Sequence, residues 1–285
     1  MTMLVNAIVM LGMLVIVPLG LRLIGAPGPV LLSRFWPLLA APGAVALWLP
    51  RGPVATVLAA VYALSTVALA LCAPVRLRHT RSLAPAEIAT LTALVTPAVA
   101  GTALVAERSG HRLFGFDLEI LALTVPHFHF AGFAAALVAG LVSRASDGPA
   151  GRFAALSVPS GTLLVLAGYF VNDVAELAGA LVLTAGMWVV ALLTWRHIRT
   201  ATGERLGRAL LAVSAAVLVA TMLLALSWAV GEATGLPHPN LAWMAATHGL
   251  GNALGFALCS VLAWQRLTRT TVEPLRKAPA PVPNT

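Results

Sequence analysis

The sequence predicts an all-α protein, a polytopic transmembrane helix bundle of about nine spans, N-terminus outside and C-terminus inside. Three observations predict it: a shortage of charge, apolar runs of membrane-crossing length, and one-sided placement of the basic residues. Of 285 residues, 59% are hydrophobic and 10% charged, against about 25% charged in a soluble domain. Apolar stretches recur from Met1 to Trp264, and a helix needs about 20 apolar residues to cross a hydrocarbon core of roughly 30 Å. Backbone in lipid must bond to itself, which leaves helices or a closed barrel. The runs are rich in Ala and Leu and do not alternate with period two, so they read as helices.

In chain order the spans lie near residues 2–24, 29–49, 53–73, 86–106, 118–143, 153–171, 177–195, 209–231 and 241–264. They make one transmembrane domain over residues 1–265, followed over 266–285 by a Pro-rich, polar tail expected to be cytoplasmic and disordered. The apolar start, Met1–Gly25, lacks a basic leader and a small-residue cleavage site, and reads as the first span. Arg22, Arg34, Arg76, Arg78, Arg81, Arg144, Arg152, Arg196, Arg199, Arg205, Arg208, Arg266, Arg269, Arg276 and Lys277 fall at one end of the spans. Only Arg51, Arg108 and Arg112 fall at the other. Positive residues stay inside, so the rich end is cytoplasmic. The net charge of +8 is therefore a topology signal. No basic block with interleaved aromatics exists, which argues against a nucleic-acid partner. Cys72 and Cys259 lie alone in apolar segments and imply neither a disulfide framework nor a thiolate metal site.

Ionisable side chains inside spans are costly, so they mark function by default. His79, His111, His197 and His238 lie in connectors, whereas His127, His129 and His248 lie within spans. In the fifth span Pro126 directly precedes His127-Phe-His129. Its missing N–H and bulky ring kink or restart the helix there. Residues two apart on a regular helix point about 200° apart. His127 and His129 therefore serve two sites, or one is a ligand and the other a hydrogen-bonding partner, or both bond backbone carbonyls across the bundle. In the ninth span His248, Gly251, Asn252 and Gly255 share a face by their i, i+3, i+4 and i+7 spacing. Gly251 and Gly255 form a G-x-x-x-G, which admits a neighbouring helix, a second copy of the chain or a flat ligand.

Asp173, Glu176 and Glu232 are the candidate acid/base residues. Asp173 and Glu176 also have capping-box spacing at the start of the seventh helix, which explains both without chemistry. Helical rise puts His127 and His129 roughly 10–16 Å from the outer ends of their spans, and His248 roughly 10 Å. Asp173, Glu176, Glu232 and His238 sit at the outer lip. Together these residues outline a polar pocket open to the outer face and floored by histidines.

The segment Thr124-Val-Pro-His127-Phe-His129-Phe-Ala-Gly-Phe133 resembles the His-Phe-His-Tyr/Phe-Ala-Gly-Phe segment of YndJ-like bacterial membrane proteins, and His248-Gly-Leu-Gly-Asn252 is similar to that family's C-terminal region. The resemblance implies a multi-pass bacterial membrane protein and no particular reaction. The His127-Phe-His129 string also resembles the haem-bearing helix of haem–copper oxidases, in which the two histidines hold two haems on opposite sides. No further histidine cluster supplies a copper centre, so the resemblance implies at most one b-type haem, held by His248 and either His127 or His129.

Three functions follow. The first is a pocket that binds a small lipophilic ligand, a haem or a transition metal, with His127, His129, His248 and Asn252 as cofactor residues and the three histidines as metal ligands. The second is a membrane-embedded isomerase, cyclase or hydrolase using Asp173, Glu176 or Glu232. The third is a small-solute transporter, for which a two-fold repeat with broken helices would be expected and is not evident.

Overall fold

The computed structural model describes residues 2–25, 29–146 and 148–277. Among them there is no strand. The helices are α1 (Thr2–Ile24), α2 (Val30–Ala46), α3 (Pro53–Thr80), α4 (Pro85–Ser109), α5 (Leu118–Ala145), α6 (Pro149–Gly168), α7 (Asp173–Ala201), α8 (Arg205–Thr234) and α9 (Leu241–Arg269). Eight of these are long and apolar enough to cross a membrane, which makes the chain a multi-pass membrane protein. The exception is α2: its 17 residues contain Pro37 and Pro42 and stop short of a full crossing. It still belongs to the bundle, because Trp36 is fully buried and donates its indole N–H to the Met13 carbonyl at 2.9 Å. At the C-terminus the helical backbone of α9 continues to Lys277, past Arg266 where the tail was expected to begin; residues 278–285 lie outside the described residues.

Local sequence explains where the helices start and stop. Pro53, Pro85 and Pro149 open α3, α4 and α6. A first-turn N–H has no helical partner, so its loss costs nothing there. Gly110 and Gly235 close α4 and α8 at φ 73°, the left-handed conformation that glycine adopts without a Cβ penalty. Asn172 and Asn240 cap α7 and α9, their side-chain oxygens accepting from Ala175 N and Trp243 N at 2.9 Å.

The centre of the bundle is α5, with 83% of its most apolar stretch buried against 28% for α9. Glycines set the closest approaches. On α6, Gly161 lies against Leu183 of α7 and Gly168 against Glu176. Gly179 of α7 lies against Val165, so an added Cβ at any of the three would meet backbone 2.4 Å away. Gly251 and Gly255 face Thr221 and Val217, so the G-x-x-x-G seats α9 on α8.

Charged clusters tie the helix ends. At the Arg-rich end, Glu87 receives a bidentate contact from buried Arg76 and a further bond from Arg144 at 3.3 Å, while Arg144 also donates to Thr90 Oγ1 at 2.7 Å. At the opposite end, buried Glu107 is chelated by Arg108 and accepts from Arg51 at 2.9 Å, and Arg108 donates onward to the Leu49 carbonyl at 3.2 Å.

Gly161→Ala or Gly179→Ala should lower stability by about 1–3 kcal/mol, the usual cost of overpacking. Gly203→Ala, where nothing lies within 4 Å, should change it little. Thermal unfolding of the three variants in one detergent checks this.

Candidate functional site

The site starts from Pro126. Without its N–H the helical ladder of α5 loses a bond, and beyond His127 the chain runs as a wider π-type turn over Phe128–Ala134. The two histidines separate there. His129 is fully buried in the core. Its Nδ1 lies 2.7 Å from the Val125 carbonyl, which can only accept, so Nδ1 carries the proton. Its Nε2 then accepts from the Tyr62 hydroxyl at 2.5 Å. Trp36 packs edge-on to Tyr62, and Gly12 of α1 leaves the room His129 needs: a Cβ there would come within 2.9 Å of the His129 Cβ. With both ring nitrogens engaged, His129 sits apart from His127 and His248.

His127 instead lines a cavity between α5, α7, α8 and α9. Its Nε2 is buried and has no hydrogen-bond partner among the described residues. His248, Asn252 and Glu176 line the same cavity of about 240 Å³, walled by apolar side chains such as Ile8, Phe130 and Phe256. A second, larger lobe of about 640 Å³ leads from it toward the end opposite the Arg-rich connectors and is bordered by Phe114, Phe116, Phe170, Asp173 and Glu232. His127, Tyr169, Glu176 and Trp228 line both lobes, which therefore form one cleft.

The geometry of α9 fixes His248. The helix widens into π-type turns over Ala245–Gly249 and Gly251–Leu258, a feature frequent at functional sites. His248 Nδ1 donates to the Thr221 carbonyl at 2.8 Å, which settles its tautomer. Asn252 braces the ring from below: its amide donates to the His248 carbonyl at 2.9 Å and its Oδ1 accepts from Thr221 Oγ1 at 3.0 Å. The Asn252 nitrogen lies 3.4 and 3.3 Å from the two ring nitrogens. With Nδ1 protonated, only Nε2 can accept from this amide, through a long contact of 3.3 Å that a ligand at Nε2 would displace.

The three acids have different surroundings. The cap of α7 is Asn172 and not Asp173, which corrects the capping-box reading: Asp173 is the first helical residue and is exposed at the cleft mouth. Glu176 is half-buried and lies beside Tyr169. Burial, and then the carboxylates of Glu176 and Glu232, push the Tyr169 phenol up, so it stays a proton donor. Glu232 is paired with His238 Nε2 at 3.0 Å. The His238 ring stacks edge-on against Trp228 at 4.8 Å and rests on Gly231, tying the α8–α9 connector over the mouth.

Sequence reasoning missed Tyr62, Tyr169 and Glu107, while His238 was placed at the outer lip without its partner Glu232 being foreseen. A tyrosine or a terminal carboxylate carries no spacing signal; only the fold shows what it meets. Among the described residues no group of three or more His, Cys, Asp or Glu is gathered to hold a metal ion. Of the three histidines within spans, His127 and His248 line one cavity and His129 does not.

The family model described as YndJ-like protein matches residues 7–256, so the chain belongs to the YndJ-like family, as the His127–Phe133 segment implied. No curated protein and no solved structure matches it.

Replacing Asn172 by Ala should cost about 0.5–2 kcal/mol through the lost cap, whereas Asp173→Asn should be near neutral. Tyr62→Phe should cost about 1–3 kcal/mol by stranding the buried His129 Nε2. Thermal unfolding with a quantified midpoint decides each.

Proposed function

We propose that this YndJ-like protein binds a small ligand in the cleft between α5, α7, α8 and α9, entered from the face opposite the Arg-rich connectors. The observation that supports it is the convergence of His127 and His248, from different helices, on one cavity within the spans. Buried ionisable groups are expensive in a membrane unless a partner uses them. A mostly apolar wall with a few converging polar groups is the usual form of a ligand site.

The hydrogen bonding narrows the ligand. His248 Nδ1 donates to Thr221, so its Nε2 offers a lone pair. The ligand then brings either a hydrogen-bond donor or a cation to that depth. The inner lobe, about 240 Å³, is small beside the roughly 300–1,000 Å³ of drug-sized pockets. His129 has no nitrogen to spare for an iron. Catalysis by acid and base is the second reading. Of the three candidates, Glu176 favours it, since it alone lies in both lobes beside a proton-donating tyrosine. Asp173 and Glu232 sit at the mouth.

The basic residues support an outside N-terminus, an inside C-terminus and a bacterial inner membrane, with the cleft opening outward. Fusions at the C-terminus test this: a fluorescent protein should fluoresce and an alkaline phosphatase should stay inactive. The opposite pattern inverts the topology.

A long-chain alcohol bearing a photoreactive diazirine probes the cleft itself. Irradiation should label cavity residues such as Phe130, Ala225 and Phe256, and His248→Ala should reduce that labelling. Labelling confined to outward-facing residues such as Leu64 and Leu163, which are exposed, would sink the proposal.

A further inference from the structure

We propose that the inner lobe of the cleft is a site for a monovalent soft metal ion, Cu(I), held by His127, His248 and the thioether of Met222, with Met187 next in depth; this rests on the ligand-binding reading of the cleft. The chain has seven methionines. Four precede Val17, and the other three, Met187, Met222 and Met244, all line this one cavity. Each comes from a different part of the chain, on α7, α8 and α9. An apolar lining needs no sulfur, and elsewhere in the bundle Ala, Leu and Val fill the same role. Thioether sulfur is a soft ligand that favours Cu(I), and imidazole nitrogen suits copper as well.

The imidazoles are prepared for such a role. A metal-binding histidine commonly donates its second nitrogen to a carbonyl or carboxylate, which fixes the tautomer and aims the lone pair. His248 does this through Nδ1–H to the Thr221 carbonyl at 2.8 Å, and Met222 is the next residue along α8. His127 Nε2 is buried without a partner, so it has a lone pair or a proton to give. Helical rise places His248, His127 and Met222 at about 10, 14 and 18 Å from the ends of their helices at the cleft mouth, with Met187 about 3 Å deeper.

Charge separates Cu(I) from the common divalent ions. Imidazole and thioether are neutral, so a bound Cu(I) leaves a single positive charge within the membrane, and Glu176 is the one acidic residue among the described residues lining the lobe. A divalent ion would leave twice that charge within the membrane, and Ca²⁺ and Mg²⁺ in addition demand oxygen ligands. Cys72 and Cys259 do not line the lobe. Asp173, Glu176 and Glu232 at the mouth attract a cation arriving from that face.

The test is anaerobic titration of the purified full-length chain in detergent with Cu(I), read by competition against a chromophoric cuprous chelator. Wild type should take one Cu(I) per chain, with both sulfur and nitrogen neighbours in X-ray absorption. Met222→Leu, which conserves volume, should weaken binding at least about tenfold, the loss that even outer-shell partners cause. The His127→Ala/His248→Ala variant should abolish it. Absence of binding in the wild type, or binding unchanged by Met222→Leu, overturns the assignment; the second result would place copper on connector histidines. Diazirine-alcohol labelling run in parallel separates the two levels of the argument. Labelling without copper binding keeps the cleft and rejects the metal, and loss of both rejects the cleft.

Discussion

Everything near the cleft depends on one missing hydrogen-bond donor. Lipid offers no partner for a stranded backbone group, so a span must satisfy its own polar atoms. Pro126 breaks that rule in α5, the most buried helix of the bundle. The chain answers by widening its turn over Phe128–Ala134, and at its start two neighbouring histidines, which helical geometry already points about 200° apart, take different tasks. His129 faces inward and closes a chain of bonds from the Val125 carbonyl through its ring to Tyr62. His127, one step before the widened turn, borders the cleft. The packed pair holds the helix in place so that the other ring has a fixed position.

The glycine contacts decide where the cleft is open and where it is shut. At Gly161, Gly168 and Gly179, α6 and α7 come together backbone to backbone. Gly168 lies against Glu176, so this contact also delivers the carboxylate to the mouth, next to Tyr169. On the far wall, Gly251 and Gly255 draw α9 against α8, bringing His248 to the Thr221 carbonyl. The two tight helix pairs meet where Val165, Ala180 and Ala229 pack together and leave space beside that contact unfilled. The cavity is what remains when α6–α7 and α8–α9 each close on themselves around α5. Ionic clusters then fix the ends. The Arg76–Glu87–Arg144 group joins α3, α4 and α5, and Glu107 with Arg51 and Arg108 ties α4 to the α2–α3 connector. Such buried pairs give limited net stability, but removal of one partner is costly because the other charge is stranded.

Much of this was legible in the sequence, and the rest was hidden for physical reasons. Hydropathy and run length give every helix, since burial in lipid leaves its mark on composition. The short α2 was read as a full span because its apolar run extends to Leu49, while its helix stops at Ala46. The divergence of His127 and His129 follows from helical geometry, and the role of Pro126 follows from its chemistry. What each histidine meets does not follow. Tyr62 is 67 residues from His129 and Thr221 is 27 from His248. No local pattern links such positions. The acids show the converse. Spacing made Asp173 a cap, but Asn172 one residue earlier caps equally well by type, and the backbone entering α7 selects it.

The two ends of the bundle differ in how they spend charge, and this bears on what the cleft admits. At the Arg-rich end, Glu87 is enclosed by Arg76 and Arg144, so the cluster carries an excess of positive charge. At the other end Glu107 is similarly enclosed by arginines, and it borders a separate cavity that neither His127 nor His248 lines. The cleft mouth itself carries Asp173, Glu176 and Glu232, with only His238 paired to one of them. Field lines from these carboxylates converge in a low-dielectric opening, which favours positive charge and hydrogen-bond donors. The floor offers the His248 lone pair to the same kinds of partner. Mouth and floor thus select in the same direction, although they are built from different helices and by different chemistry. An anion would be opposed at the entrance and find no donor on His248. A cation or donor-bearing ligand is favoured at both depths.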